Sequence, residues 1–300
     1  MEVYFLQKLN YRSHSLVPYL LLSPTFIVLL LFLYWPSINS VFLSLFKQAP
    51  FGRKKIFVGI QNYVSLFQDP AYLSSLLRST LFIIFTISIG LIFSLLLAVI
   101  LNQNLKGIKF YRVIFFIPYA ISPTVAGSLW VFMLNPVAGQ VNYLLDLAFN
   151  IQVNWLTNSF FAFLAIIIAT VWKNMGFNII FFLAGLQAIP DSVYESAEID
   201  GAGAITIFKD ITIPLLSPTT FYLIIMNIIF SVFESFGIVD IMTQGGPADS
   251  TNIVIYKLYR EMFINFRPGA AAAQSVILLA LVIIVTIFHF KYGANSVHYQ

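Results

Sequence analysis

The sequence predicts an all-α, polytopic membrane protein with six transmembrane helices in one domain over residues 1–300, and three observations carry that prediction. The chain is 59% hydrophobic and only 9% charged, with a mean hydropathy of +0.88, far outside the range of soluble domains. Uncharged runs cover Ser13–Phe46, Ser79–Leu105, Val113–Leu145, Leu147–Trp172, Ile211–Phe233 and Pro268–Phe290. Each exceeds the roughly 20 residues that carry a helix across about 30 Å of hydrocarbon. The runs are long and continuously apolar, whereas barrel strands are short and alternate in polarity.

The first helix falls near 16–46. Lys8 and Arg12 precede it as they would a signal peptide. Its apolar run is too long for a signal, however, and no small-residue cleavage site precedes Tyr34-Trp35-Pro36, so an uncleaved helix is expected. The outer segment 47–71 holds GIQNYVSLF and stops at Pro70. It reads as a small amphipathic helix at the interface, with Tyr63, Phe67 and Tyr72 as belt aromatics. The second helix follows near 72–102. The third, near 111–135, carries Pro118 and Pro123 followed by Gly127, which predicts kinks with freed carbonyls. The fourth lies near 157–187, where Gly176 and Gly185 permit close packing. The fifth spans about 214–241. The run TQGGPADST then marks a loop, and Tyr256–Phe266 a short interfacial helix, because its aromatics recur at helical spacing. The sixth helix, near 268–292, opens on the small-residue run Gly269–Ala273. Several of these helices outrun one bilayer crossing, so tilts or extensions are expected.

Several chemistries are excluded. There is no cysteine, hence no disulfide or thiolate chemistry. His14, His289 and His298 form no cluster with Asp or Glu, which supports neither a metal site nor a proton relay. No GxxxxGK[ST] loop is present, so the chain holds no P-loop nucleotide site. Neither a Ser-His, a paired-Asp nor an HExxH arrangement appears, which argues against an intramembrane enzyme. An ion-coupled secondary transporter is the less favoured transport class, since no inverted repeat or pair of broken segments is evident. Nothing points to a nucleic-acid partner; the lipid bilayer is the expected environment.

Charge alone leaves orientation open. With both termini inside, Lys8, Arg12, Lys106, Lys109, Arg112, Lys209 and Lys291 face the cytoplasm. Lys47, Arg53, Lys54, Lys55, Lys257, Arg260 and Arg267 then face outward, an even balance. The positive-inside rule does not decide such a case.

Polar residues at membrane depth mark pathways. Lys173 stands mid-way in the fourth helix, with Asn174 and Asn178 four apart on one face. A lone ammonium there costs about 2.5–3.5 kcal/mol on insertion scales, so a partner or a watery cavity is required. In the fifth helix Asn227 and Glu234 share a face. Glu234 can serve as a gate or as an internal ion pair for Lys173; both readings are open.

Between the fourth and fifth helices lies YESAEIDGAGAITIFKDITIPLL, Tyr194 to Leu216. Glu195, Ser196 and Ala197 are followed by three residues and Gly201, then by nine residues and Ile211, with Pro214 closing the pattern. This order resembles the cytoplasmic signature loop of bacterial ABC importer permeases, with Ser196 where the family more often has Ala and Ile213 where it more often has Leu. A helix starting at Ser192 and a break at Gly201 and Gly203 fit that loop. FFIPYAISPTVAGSLWVFMLNPVAGQVN, GGPADST and the tail from Ile255 are likewise similar to sugar-type permeases, most of all to the A-type permeases of sn-glycerol-3-phosphate importers.

The resemblance implies a type I ABC importer permease fold in the bacterial inner membrane, both termini cytoplasmic, with an ATPase-coupling loop at about 188–213. Glu195, Ser196, Ala197, Gly201, Ile211 and Pro214 are then the coupling residues. Implied partners are a second, E-type permease, an ATPase dimer and an external or periplasmic substrate-binding protein. The chain itself binds no cofactor; ATP and magnesium belong to the ATPase. The substrate implied is sn-glycerol-3-phosphate, with a neutral sugar or oligosaccharide as the alternative. For a phosphate-bearing substrate the cation Lys173 is chemically apt.

Overall fold

The computed structural model describes residues 17–48, 55–103 and 107–293. The expectations placed on Lys8, Arg12, His14, Arg53, Lys54, Lys106 and His298 therefore lie outside the described residues.

Helix α1 (Pro18–Ser44) widens into a π turn over Leu30–Tyr34. Pro36, just beyond, has no N–H to offer the preceding turn, and local widening accommodates that loss. Only its outer half, Trp35–Ser44, packs well, against the last helix. Strands β1 (Phe46–Gln48) and β2 (Lys55–Phe57) then form an antiparallel hairpin with Phe46 opposite Phe57. The all-α expectation did not include this hairpin. Short helix α2 (Gln61–Gln68) holds it, since the Asn62 amide donates to the carbonyls of Ser44 and Phe46 at 2.6 and 3.0 Å. Leu66 and Tyr72 are buried here. Tyr72, with 0% exposure, is thus a core residue and not an interfacial belt aromatic, because α2 folds back over the start of the next helix.

That helix, α3 (Pro70–Leu101), starts with Asp69 as cap, accepting from Ala71 N at 2.9 Å, and Pro70 in its first turn. Along one face Gly90, Ser94 and Ala98 are buried, a small-residue stripe at four-residue spacing that admits a neighbouring helix closely. The neighbour is α7 (Ser159–Ala188), capped by Asn158, whose side chain accepts from Phe160 N and Phe161 N. Helix α7 is the axle of the fold, packing against the helices before and after it.

The third expected span is broken, not merely kinked. Helices α4 (Ile108–Ala120) and α5 (Pro123–Met133) meet at 103°. Pro123 forbids helical backbone at Ser122, which is extended (ψ 152°) and caps the second half through its hydroxyl. Helix α4 lies directly on α7: a Cβ at Gly176 would stand 2.5 Å from the Phe115 carbonyl oxygen. An unexpected short helix, α6 (Gln140–Phe149), is stitched down by Asn142, which donates to Val153 O and accepts from Trp155 Nε1, both at 2.9 Å.

Beyond α7 come α8 (Asp191–Ile199) and a helical stretch α9 over 204–215. Next are α10 (Ser217–Glu234) and α11 (Phe236–Met242), which together fill the fifth expected span. Helix α12 (Val254–Tyr259) matches the expected outer helix but is not simply interfacial. Tyr256 and Lys257 are buried, and Lys257 pairs with Asp69 at 3.3 Å. Helix α13 (Pro268–Lys291) closes the chain, with Gly269 under the Phe46 carbonyl. Counting the bent pair as one, six helices are long and apolar enough to cross a membrane, as the sequence predicts. One core gathers around Ala98, Phe182, Leu186 and Leu216 at the α8 end, and another around Ile166, Ile238 and Tyr256 at the opposite end.

Candidate functional site

Two places carry the residues singled out by sequence. The first is half-way along α7. Lys173 is buried there, its Nζ 3.5 Å from Glu234 Oε2 and 5.4 Å from the centroid of the Tyr119 ring. The internal ion pair, one of the two readings open from sequence, is therefore present. The two partners are unlike: Lys173's side chain is 5% exposed and Glu234's 44%. Buried cations need both a counter-charge and dipoles; here a carboxylate and an aromatic face supply them. Glu234 ends a π turn, Phe230–Glu234.

Asn178 and Asn227 meet across the same two helices, exchanging amide hydrogen bonds of 3.2 and 2.7 Å. Asn227 also donates to Leu223 O at 2.8 Å. This reciprocal pair is a structural clasp, since both buried amides are satisfied within the protein. Asn174, by contrast, keeps a buried Oδ1 with no partner. The structure thus joins Lys173 to Glu234 and Asn178 to Asn227, and leaves Asn174 apart from both pairs. The residues that sequence reasoning missed are aromatic. Tyr119 packs on Phe177 and Phe230, with ring centroids at 5.3 and 6.3 Å, and walls the cluster. Its signal was its place beside Pro118, where the α4–α5 break sets it facing α7.

The second place is α8. The helix begins at Asp191, after Pro190, and not at Ser192 as expected. The Ser192 hydroxyl therefore makes no cap, while Asp191 puts an acid in the first turn, where the helix dipole favours it. The other end shows why Gly201 stands where it does. Ala202 N donates to Ala197 O and Gly201 N to Glu198 O, at 2.9 and 3.0 Å, with Gly201 at φ +78°. This is a Schellman closure, which needs a left-handed residue just past the helix. Gly203 is no part of it: its φ of −76° is ordinary, and it precedes α9. Ala197 faces inward and is buried, and Val193 and Tyr194 pack on the α8-end core. Glu195, Ser196 and Gly201 are exposed. Ile211 lies in a π turn, Ile207–Thr212, just ahead of Pro214, which again lacks the N–H an α turn would use. Ile199 and Ile205 flank the Gly turn at 85% and 83% exposure.

The chain is thus a helical membrane protein of six candidate spans, with a helix closed by a Gly turn between the fourth and fifth. Residues 90–292 match the family described as binding-protein-dependent transport system inner membrane component, and the chain belongs to that family. It is 40% identical over 288 residues to the sn-glycerol-3-phosphate transport system permease protein UgpA of Rhizobium meliloti (strain 1021), covering 95% of this chain and 97% of the relative. It is 39% identical to UgpA of Escherichia coli O157:H7, over 97% of this chain and 98% of the relative. Among solved structures, a bacterial ABC transporter involved in the import of the acidic polysaccharide alginate superposes with a TM-score of 0.82 at 24% identity, over 94% of this chain and 96% of that one. An alginate ABC transporter in complex with alginate pentasaccharide-bound periplasmic protein gives a TM-score of 0.83 at 23% identity, over 96% and 98%. The expected permease fold is thereby borne out. The chain is an inner-membrane transport component, not an enzyme.

Proposed function

We propose that this chain pairs with an E-type sister permease to form the pathway of an ATP-driven importer for sn-glycerol-3-phosphate. An external binding protein delivers the substrate, and an ATPase dimer that holds ATP and magnesium drives the cycle. The observation that carries the reading is resemblance along nearly the whole length: 40% identity over 95% of the chain to a glycerol-phosphate permease. Both termini lie in the cytoplasm, so that the 188–213 loop meets the ATPase.

Helix α8 with Glu195, Ser196, Ala197 and Gly201 is the coupling element, and Ile211 and Pro214 join it to the fifth span. Its inward face is tied to the core through Ala197, Val193 and Tyr194. Its last residue, Ile199, and Ile205 beyond the Gly turn are offered to a groove on the ATPase. Large apolar side chains left in water at a rigid turn suit a protein contact. ATP-driven closure of the ATPase pair moves α8 as a body and tilts the spans around α7, opening a path beside Lys173 outward. Hydrolysis restores the inward-facing state. Only contacts that differ between the two states can drive such a switch.

Lys173 and Glu234, beside Asn174, form the substrate-facing part of this chain, and Asn178 with Asn227 hold the two helices in register beneath it. A phosphate entering would compete with Glu234 for the ammonium. A specific observation favours a second reading, a neutral sugar: Lys173 is already neutralised by Glu234, and Tyr119, Phe177 and Phe230 form an aromatic wall of a kind that packs on an uncharged ring. The ATPase rate of the complete complex in proteoliposomes separates the two. Binding protein loaded with glycerol-3-phosphate is expected to stimulate hydrolysis severalfold, glycerophosphodiesters less, and maltose not at all. Stimulation by maltose and not by glycerol-3-phosphate would decide for the neutral substrate.

A further inference from the structure

A groove of about 430 Å³ opens between α4 and α7, beside the mid-membrane cluster. Arg112, Phe116, Ile180, Leu183, Ala184 and Gln187 are among its lining residues. Their spacing sets this groove in line with the Lys173 site. On α7, Lys173, Phe177, Ile180, Ala184 and Gln187 recur at three or four residues, one stripe of an α-helix. On α4, Arg112, Phe116 and Tyr119 do the same. Tyr119 packs on Phe177 at 5.3 Å, and below them Arg112 and Phe116 line the groove opposite Ile180, Ala184 and Gln187, so the two stripes face each other from mid-membrane to the inner end. From Lys173 to Gln187 the stripe runs about 21 Å at the helical rise.

The ends of the stripe share a sign. Lys173 stands at the upper end. Arg112 stands at the lower end, donating from Nη2 to Leu101 O at 3.1 Å while its Nε is buried without a partner. Among the described residues the groove lining includes no carboxylate, whereas Glu234 sits at the upper end only. Basic residues at the mouth of a narrow passage select anions, and apolar walls between stations keep an ion from lodging.

We infer that this groove is this chain's share of the inner half of the substrate path, and that Arg112 is a second cationic station, which draws the anionic substrate away from Lys173 toward the cytoplasm. The inference rests on the glycerol-phosphate reading for the sign of the cargo, though not for the path. Arg112 gives up no structural bond in this role, because one arm of its guanidinium stays on Leu101 O while the other arm meets the phosphate.

A cysteine placed at Ala184 tests the proposal in the full complex, in inside-out vesicles, with labelling of this chain read by mass spectrometry. The native chain has no cysteine, so the label reports one position. A sulfonate-bearing methanethiosulfonate is expected to react severalfold faster than a trimethylammonium-bearing one. That preference should vanish in Arg112→Gln and persist in Arg112→Lys, a pattern that loss of packing alone does not produce. Saturating glycerol-3-phosphate should slow the reaction. If neither reagent reached Ala184 in any nucleotide state, an acyl chain or a sister helix would fill the groove and the proposal would fall. It would equally fall if both reagents reacted alike with and without Arg112. Protection by maltose and not by glycerol-3-phosphate would remove the glycerol-phosphate reading while leaving the path in place.

Discussion

Gly201→Asp brings substrate uptake to background and strips the ATPase subunits from the purified complex, while the permease still inserts. The reason is local. Gly201 closes α8 at φ +78°, where a side-chain-bearing residue costs about 1–2 kcal/mol in left-handed backbone. That strain alone is modest, and Asp and Asn tolerate it better than Ala does. The larger effect is contact: a Cβ at Gly201 would meet nothing within 4 Å in this chain, so the turn is free on the side that we assign to the ATPase. A carboxylate added there joins the exposed Glu195, Glu198 and Asp200 and keeps the groove from closing over Ile199 and Ile205. Gly201→Asn, with the same shape and no charge, is expected to retain part of the uptake, and Gly201→Ala to fall between. Normal assembly and uptake in Gly201→Asp would remove the docking role.

Lys173→Ala has the second largest effect. It leaves Glu234 facing an emptied site at membrane depth, and it is expected to lower both uptake and the yield of assembled complex, without changing affinity of the external binding protein for its ligand. Glu234→Ala should be the worse single change for assembly. It strands an ammonium that is 5% exposed, and uncompensated buried charges cost about 3–5 kcal/mol. The double change tells the two roles apart. If Lys173 serves the ion pair alone, Lys173→Ala with Glu234→Ala restores assembly and glycerol-3-phosphate uptake together. If Lys173 also meets the phosphate, assembly returns and uptake does not; Lys173→Arg then keeps a fraction of it, limited by its larger planar head. A substrate-facing Lys173 requires the second outcome.

Much of this was legible in the sequence because the bilayer imposes simple rules. Apolar length located the six spans, and the Glu195–Gly201–Pro214 spacing marked the loop that carries α8 and its Gly turn. What escaped depended on three dimensions. Pro123 signalled a kink, but extended backbone at both Ile121 and Ser122 makes it a 103° break. That break turns Tyr119, unremarked in sequence, onto Lys173. The hairpin at Phe46–Phe57 and helix α6 are short, and their stability comes from Asn62 and Asn142 reaching across to distant carbonyls, a signal that periodicity does not carry. Tyr72 looked like a belt aromatic because it follows an interfacial segment, yet the fold-back of α2 buries it. Asn178 and Asn227, read as cavity-lining, spend their amides on each other.

Whether α8 couples the permease to the ATPase is decided by a cysteine at Ile199, which is 85% exposed at the end of that helix. In the assembled complex a short bifunctional thiol cross-linker is expected to join this residue to the ATPase subunit, with a yield that changes between nucleotide-free and ATP-bound states. In intact cells the same cysteine should be protected from impermeant thiol reagents. Labelling of Ile199→Cys from outside the cell, with no cross-link to the ATPase in either state, would rule out α8 as the coupling element.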